Sequence, residues 1–321
     1  MVRIVLPRRA LLGGALAAPA VARAQAYPAR PVTLIAPAPP GGGLDTSLRL
    51  LAQGMSQHLP QPVVVENRPG ASQTLGAAAV ARARPDGYLL TAFLTASLRV
   101  QILNRLAFDP LKDFTPVAHV SGFTVGCVAR RDRFPNGWAD FVAEARRRPG
   151  ELNYGSTGVN GTPHVGMAEL AVRERLEVNH VPFRGDADAL QAVLGGHIDC
   201  TAGSSSLGGA VDGGTVKWLH IWSARQAPRW PDAPTLLELG YDGMVLTSPF
   251  GILGPAGMAP EVVRLLQDRI EARLKDADFL EGIARFDMIA EFKTSDAYRQ
   301  DLVDSTAREH ELIRRLNLQP V

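Results

Sequence analysis

Strand patterns alternate with amphipathic helical patterns along most of this 321-residue chain. The first series comprises elements at 32–36, 44–59, 62–66, 72–84 and 88–93, of which the first, third and fifth are strands. Within 44–59, Leu44, Leu48, Leu51 and Met55 recur at spacings of three and four, which places them on one helix face. Alternation of this kind is typical of βαβ units around a parallel sheet. We therefore predict an α/β fold.

The alternation is interrupted near residue 120, where two strand patterns follow one another without a helix. A second series then runs through elements at 137–148, 152–154, 163–175, 178–183, 186–195, 198–202 and 216–222. The tail from Pro260 to Leu316 is mostly helical in pattern. We predict two domains joined by two crossings, near 121–124 and near 224–248. Their bounds are 27–122 plus 248–321 for the discontinuous domain 1, and 123–247 for domain 2.

The first 26 residues have the composition of an export signal. Arginines precede an apolar run of small residues, and the segment ARAQA supplies two A-x-A cleavage sites. The run is shorter than the roughly 20 residues needed to span a bilayer. We expect cleavage near Ala24 or Ala26 and a periplasmic protein, with a buried N-terminal helix as the alternative. The sequence leaves Sec and Tat export both open.

The net charge and the histidine pattern argue against nucleic-acid binding and metal binding, and the cysteine content leaves one question open. The signal segment carries four arginines and no acidic residue, so its removal takes the formal net charge from +2 to −2. The mature chain thus lacks the basic surface typical of nucleic-acid binding. The histidines show no metal-ligand spacing, and we expect neither metal nor cofactor. Cys127 and Cys200 lie in apolar runs, where a disulfide and two buried thiols are equally compatible with the pattern.

Three prolines and three consecutive glycines separate the first strand from the first helix, in the segment APAPPGGGLD. Glycine has no Cβ, so a ligand can approach its backbone closely. The helix that follows has unpaired amides and a partial positive charge at its start. The combination predicts an anion-binding loop, although it has neither the P-loop nor the dinucleotide glycine spacing.

A second glycine-rich loop, Gly155-Ser156-Thr157-Gly158, follows the strand at 152–154. Thr162 and Pro163 are the predicted N-cap and first-turn proline of the next helix. One such loop is as consistent with a tight turn as with a ligand site. Two of them, one per domain at the carboxyl ends of parallel strands, predict anion sites that face each other across a cleft. Such a cleft suits a ligand with carboxylates.

Several segments together resemble the Bug-type substrate-binding proteins of tripartite tricarboxylate transporters. They are YPARPVTLIAPAPPGGGLDTSLRLLAQGM, QPVVVENRPGASQTLGAAAVARARPDGYLL, DPLKDFTPVAHV, ELNYGSTGVNGTPH, VPFRG and VLGGHID. The resemblance covers residues 27 to 320 in order. It implies a monomeric periplasmic receptor with the type II-like two-domain clamshell fold, which closes on a small carboxylate and delivers it to an inner-membrane permease. Family members bind dicarboxylates, acidic amino acids or aromatic acids through loop backbone, hydroxyls and water, typically without an arginine clamp.

The resemblance also carries site residues over to matching positions. The first group is the two glycine loops with the start of the first helix: Pro40, Gly41, Gly42, Gly43, Asp45, Gly155, Ser156, Thr157 and Gly158. The second group, from the loop after strand 88–93 and the start of the helix at 163–175, is Thr95, Ser97, Thr162 and His164. For His164 a capping or packing role is the expected alternative, and Arg184 is expected to be a structural residue at the rim.

Two segments depart from the family pattern. Arg99, in TASLRVQILNRL, stands near a position that is often aliphatic in the family. It is either a ligand for a distal carboxylate or a solvent-facing helix residue. The segment CTAGSSSLGGAVDGG replaces a bulkier apolar one, so Ser204 to Ser206 form either a hydroxyl-rich pocket wall or a flexible surface loop.

The predicted mechanism is reversible capture without chemistry. A periplasmic hydrolase that uses one of the serines is an alternative, but no G-x-S-x-G elbow is present in the sequence. A second alternative is a sensory role, in which the liganded protein contacts a signalling partner instead of a permease.

Overall fold

The computed structural model describes residues 27–70 and 73–320. The predicted export signal at 1–26 lies outside the described residues. Among the described helices, none combines the length and the apolar character needed to cross a membrane.

Parallel strands with intervening helices begin the fold, as the alternation predicts. β1 (Val32–Ala36) pairs in parallel with β2 (Val63–Asn67) on one side and with β3 (Leu89–Leu94) on the other. α1 (Gly43–Gln57) and α2 (Leu75–Val80) lie between them in the chain. The four residues that the spacing placed on one face of α1 are all buried, so this face packs on the sheet.

The later elements complete a mixed sheet. In chain order they are α3 (Ala96–Asn104), β4 (Phe114–Arg130), α4 (Trp138–Arg147), β5 (Asn153–Ser156), α5 (Thr162–Glu174), β6 (Asn179–Pro182), α6 (Asp186–Leu194), β7 (Cys200–Ser204), α7 (Gly208–Asp212), β8 (Val216–Ile221), β9 (Thr247–Pro255), α8 (Pro260–Arg273), α9 (Ala277–Ala284), β10 (Ile289–Lys293) and α10 (Ser295–Leu316). The strand order is β2-β1-β3-β9-β4-β7-β5-β6, and β8 and β10 also pair with β4.

The interruption near residue 120 is one continuous strand, where the sequence suggested two. The first part of β4, residues 114–124, pairs antiparallel with β9, and residues 125–130 pair antiparallel with β7 and β8. β4 therefore carries the chain from one sheet portion to the other and forms the first crossover. The segment between β8 and β9 returns the chain and forms the second.

Each sheet portion has its own apolar core. α8 and α9 pack on the first portion, where Leu48, Phe250 and Phe279 belong to one buried cluster. Phe141 and Trp222 belong to a separate cluster in the second portion. The chain thus has the two-domain α/β clamshell architecture with two crossovers. The domain bounds given above stay a prediction.

Several elements, α3, α7, β9 and β10 among them, are missing from the predicted series. α3 has no amphipathic pattern because Ser97, Leu98, Arg99 and Val100 are all buried, and periodicity needs one exposed face. β10 is a five-residue strand within the tail that was predicted to be mostly helical. It pairs antiparallel with β4, so its conformation depends on a partner far away in the sequence.

Cys127 and Cys200 are both free thiols and both buried. They lie on β4 and β7, which are adjacent antiparallel strands. Of the two alternatives left by the sequence, the structure has the buried thiols.

Neighbouring residues of α9 give a test of the first core. Phe279 is fully buried, and Leu280 is 40% exposed. We expect Phe279→Ala to lower the free energy of unfolding by about 3–5 kcal/mol, the usual range for a buried aromatic residue. Leu280→Ala should lower it by about 1 kcal/mol or less. Urea unfolding followed by circular dichroism measures both, and equal losses would contradict the packing described for α9.

Candidate functional site

A cavity of about 360 Å³ lies between the two sheet portions, at the carboxyl ends of the parallel strands. One wall is the loop from Ala38 to Leu44, and the opposite wall includes Thr157, residues 161–163 and residues 184–188. The walls approach each other closely, because a Cβ on Gly185 would lie 3.4 Å from Cγ of Pro39. The two glycine-rich loops predicted to face each other thus border the same cavity.

Of the predicted site residues, about half line this cavity. Those that do are Pro40, Gly41, Gly42, Gly43, Thr157, Thr162 and Ser204. The rest lie behind the wall or beside a neighbouring cavity: Asp45, Thr95, Ser97, Arg99, Gly155, Ser156, Gly158 and His164.

Asp45 supports the first loop from behind. Its Oδ2 accepts the amide of Gly41 at 2.9 Å, and its Oδ1 accepts Nδ2 of Asn67 at 2.7 Å. Arg49, one helical turn later, donates to Oδ2 through Nε at 3.0 Å. Burial raises the pKa of Asp45, but the hydrogen bonds from Arg49, Gly41 and Asn67 outweigh burial and hold it below its ordinary value. Asp45 is therefore ionised and braces the loop. The Gly41 amide donates to Asp45 and is not free to bind a ligand.

The start of α1 is open toward the cavity. Its N-cap is Gly42, and no side chain caps the helix, so the first amides have no intrahelical acceptor. Gly42 has ordinary extended dihedrals (φ −77°, ψ 168°), and a Cβ there would meet only the Pro39 carbonyl oxygen, at 3.9 Å. Gly43 differs, because a Cβ there would lie 3.1 Å from the Phe123 ring and 3.3 Å from the Phe286 ring. Gly42 leaves space in front of the amides, whereas Gly43 lets the loop pack on two aromatic rings.

The second loop is mostly turned inward. Ser156 is fully buried; its hydroxyl donates to the Gly158 carbonyl at 3.1 Å and lies 2.7 Å from Nε2 of His180. Gly158 has a φ of +102°, which glycine adopts readily and other residues do not. A Cβ on Gly155 would lie 2.7 Å from Ile198. This loop therefore presents Thr157 to the cavity and uses its other residues to shape the turn.

α5 begins one residue earlier than predicted. The N-cap is Gly161, and Thr162 is the first helical residue, so the predicted Thr162 cap is wrong. No side-chain cap is formed, and the first turn contains no acidic residue. Gly161, Thr162 and Pro163 all line the cavity. The start of α5 thus presents an unneutralised helix dipole to the space opposite α1.

His164 has a packing role behind α5. Its Nδ1 accepts the amide of Asn160 at 2.9 Å, and its ring stacks on His180 with centroids 4.1 Å apart. Burial and the nearby charge of Arg99 lower the pKa of His164 to about 4. Burial and His164 lower the pKa of His180 to about 3. Both rings are therefore neutral at physiological pH and add no charge to the site.

Arg99 is buried, so the solvent-facing alternative is wrong. Its guanidinium forms a bidentate ion pair with Glu309, with Nε–Oε2 and Nη2–Oε1 distances of 2.7 and 2.9 Å. Nη1 donates to the carbonyl of Asn160 at 3.0 Å. Arg99 lines a second cavity of about 380 Å³ together with Thr95. Arg99 thereby ties α3 and α10 to the residue that precedes the start of α5.

Two serines form part of the cavity wall: Ser204, the last residue of β7, and Ser206, in the 3₁₀ turn that follows it. The flexible-loop alternative for this segment is therefore wrong. Both hydroxyls donate to Oδ2 of Asp186, at 2.5 and 2.6 Å. Asp186 was not among the predicted residues. Its signal was the segment PFRGDAD, a third glycine-containing turn from a strand into a helix.

The charged residues of the lining are Arg184, Asp186 and Asp188. Among the described residues, none forms an ion pair or hydrogen bond with the Arg184 guanidinium. Attraction for an anion therefore comes from Arg184 and from the starts of α1 and α5. In the described part of the chain, no group of three or more His, Cys, Asp or Glu is arranged to hold a metal ion.

The brace at Asp45 predicts a pH dependence of stability. The pKa of Asp45 is lower in the folded state than in the unfolded chain, so its contribution is present above about pH 4 and is lost as pH falls through the folded-state value. We expect Asp45→Asn to cost about 1–3 kcal/mol in free energy of unfolding at pH 7, and we expect this cost to shrink progressively as pH falls below about 4. Urea unfolding across this range tests it, with the exposed Glu66→Gln as control. A cost that does not change with pH would contradict an ionised brace.

Comparisons with known proteins agree with this geometry. The family model TctC, described as the tripartite tricarboxylate transporter family receptor, matches residues 47–318. A Cupriavidus necator protein, the UPF0065 protein in the gbd 5′ region, is 34% identical over 305 residues, which covers 95% of this chain and 93% of the relative.

Solved structures show the same fold. The periplasmic binding protein BugD has a TM-score of 0.87 at 26% identity, over 92% of this chain and all of that one. An R. palustris protein solved with adipate gives the same four values. MatC from Rhodopseudomonas palustris, with bound malate, has a TM-score of 0.83 at 27% identity, over 89% of this chain and all of that one. The chain therefore belongs to the TctC family of tripartite tricarboxylate transporter receptors, as its resemblance to Bug-type proteins predicted.

Proposed function

We propose that this protein is a periplasmic solute receptor that binds a small carboxylate in the cavity between its two domains and delivers it to an inner-membrane permease. One observation carries the proposal. The uncapped starts of α1 and α5, from opposite sides of the cleft, border the same cavity. The adipate and malate of the related structures are both carboxylates, which supports the same class of ligand.

The interactions available at such a site are strong enough for micromolar binding of a carboxylate. An anion at a helix start gains roughly 0.3–1 kcal/mol when exposed and up to about 2 kcal/mol when partly buried. Hydrogen bonds to a charged group contribute about 1.5–3 kcal/mol each. After the costs of ordering, two helix starts with several such bonds reach about −8 kcal/mol, or micromolar affinity. A dedicated arginine clamp is unnecessary, although Arg184 at the lining can add to the attraction.

The serines near the cavity are not arranged as nucleophiles, which favours binding without chemistry. The Ser156 hydroxyl is buried and hydrogen-bonded within its own loop, so it is not presented to a substrate as a nucleophile. Ser204 and Ser206 donate to Asp186. A serine nucleophile needs a base that is itself oriented by a third group, and the other oxygen of Asp186 has no such partner among the described residues. We therefore propose a receptor rather than a hydrolase.

The proposed mechanism is closure of the two domains, 27–122 plus 248–321 and 123–247, on the ligand. A ligand held by both helix starts has its full set of contacts only when the cleft is closed, so binding favours that state. We further propose that the protein acts as a monomer after cleavage near Ala24 or Ala26, and that the closed form is recognised by the permease.

A thermal-shift screen tests the ligand class. At a concentration 100 times its dissociation constant, a ligand adds about 2.7 kcal/mol to the free energy of unfolding. We expect at least one small carboxylate from a panel of di- and tricarboxylates, acidic amino acids and aromatic acids to raise the melting temperature. Matched amides and sugars should have no effect. A rise with the amides or sugars and none with any acid would contradict the proposal.

Gly42 gives a mutational test of the backbone site. Its dihedrals are accessible to any residue, and the added side chain would enter open space at the cavity wall. We expect Gly42→Val to weaken carboxylate binding at least tenfold while changing stability by less than about 1 kcal/mol. Gly209→Val is the matched control, because Gly209 is exposed, also has open space and lies outside the lining. Calorimetric titration measures both, and unchanged affinity in Gly42→Val would place the ligand elsewhere.

A further inference from the structure

The carboxyl group of Asp186 is hydrogen-bonded on one side only. Oδ2 accepts three donors: the amide of Ser204 at 3.1 Å, the hydroxyl of Ser204 at 2.5 Å and the hydroxyl of Ser206 at 2.6 Å. Oδ1 is buried and has no hydrogen-bond partner among the described residues. A buried acceptor without a partner costs about 1–3 kcal/mol, and more when it is charged. Such atoms are uncommon in folded proteins.

Asp186 belongs to the lining of the proposed ligand cavity, at the start of α6. The neighbouring Gly203 leaves room for its carboxyl group, because a Cβ there would lie only 2.4 Å from Oδ1. Burial raises the pKa of Asp186, although the hydrogen bonds from Ser204 and Ser206 oppose this effect. The ionised form is thus under-stabilised in the free protein, and a donor at Oδ1 would relieve it.

The charges of the residues that line the cavity also favour a ligand with a hydrogen-bond donor. Arg184 is the single cationic side chain among the described lining residues, and Asp186 and Asp188 are both acidic. With both ionised, the lining side chains sum to −1, so a second ligand carboxylate on this side of the cavity meets repulsion unless the ligand also brings a hydrogen-bond donor to Asp186. A ligand with a carboxylate at one end and a hydrogen-bond donor at the other meets attraction at both.

We propose that Asp186 is a specificity-determining residue, which makes the cavity select carboxylates that also carry an amino or hydroxyl donor over the same acids without that group. The proposal rests on the proposed function and specifies its ligand class. The carboxylate binds at the starts of α1 and α5, and the donor binds Oδ1 of Asp186.

Matched ligands test the proposal. Calorimetric titration of the mature protein with succinate, L-malate and L-aspartate compares hydrogen, hydroxyl and ammonium at the same carbon, and glutarate, 2-hydroxyglutarate and L-glutamate repeat the series. In the series that binds more tightly, we expect at least one donor-bearing acid to bind at least tenfold more tightly than its parent. The two donor arms distinguish an ammonium from a hydroxyl ligand.

Asp186→Asn should reduce this preference to less than threefold, because an amide NH₂ group in place of Oδ1 donates rather than accepts. Asp140→Asn is the control, since Asp140 lies in the first turn of α4 but outside the lining. If Asp186→Asn does not fold, Gly203→Ala displaces the carboxyl group and should reduce the preference in the same way.

Equal affinity for parent and donor-bearing acids in the natural protein, or an unchanged preference in the folded variant, would overturn the role of Asp186 while leaving carboxylate binding intact. Failure of every acid to bind would instead overturn the proposed function, and this inference with it.

Discussion

The backbone amides at the starts of α1 and α5 are the groups on which the rest of the structure depends. They can serve a ligand only if the helices begin at the cavity and no side chain caps them. Glycine N-caps meet the second condition at both helices, and the parallel strands that precede them meet the first. Asp45 then fixes the loop before α1, and Arg99 fixes Asn160, which precedes the N-cap of α5. Asp45 and Arg99 therefore support the backbone rather than contact the ligand themselves.

This arrangement separates affinity from specificity. Amides at a helix start attract a carboxylate of any shape, since they recognise charge and a pair of oxygens. Side chains on the α6 side of the cavity, where Arg184, Asp186 and Ser206 lie, are free to differ without disturbing those amides. A family that shares one fold can in this way bind different acids, and the adipate and malate of two related structures are an example.

Much of the fold could be predicted from the sequence, because βαβ units have recognisable local patterns of spacing and residue type. The face of α1, the strand–helix alternation and the two glycine-rich loops all follow from spacing and residue type. Sequence reasoning failed where tertiary context decides. Nothing local distinguishes one long β4 from two short strands. α3 has no period because four consecutive residues, Ser97 to Val100, are all buried. Within the site, composition identified the loops but not the direction of their side chains, so buried Ser156 was expected to contact ligand and Asp186 was overlooked.

The central claim is that one carboxylate is held by the starts of both helices at once. Amide NMR on the deuterated, ¹⁵N-labelled protein tests this most directly, by titration with the acid that gives the largest thermal shift. We predict that the amide resonances of Gly43 and Leu44 in α1 and of Thr162 and His164 in α5 move together, with one common midpoint. Movement at a single helix, or separate midpoints for the two, would contradict a shared site.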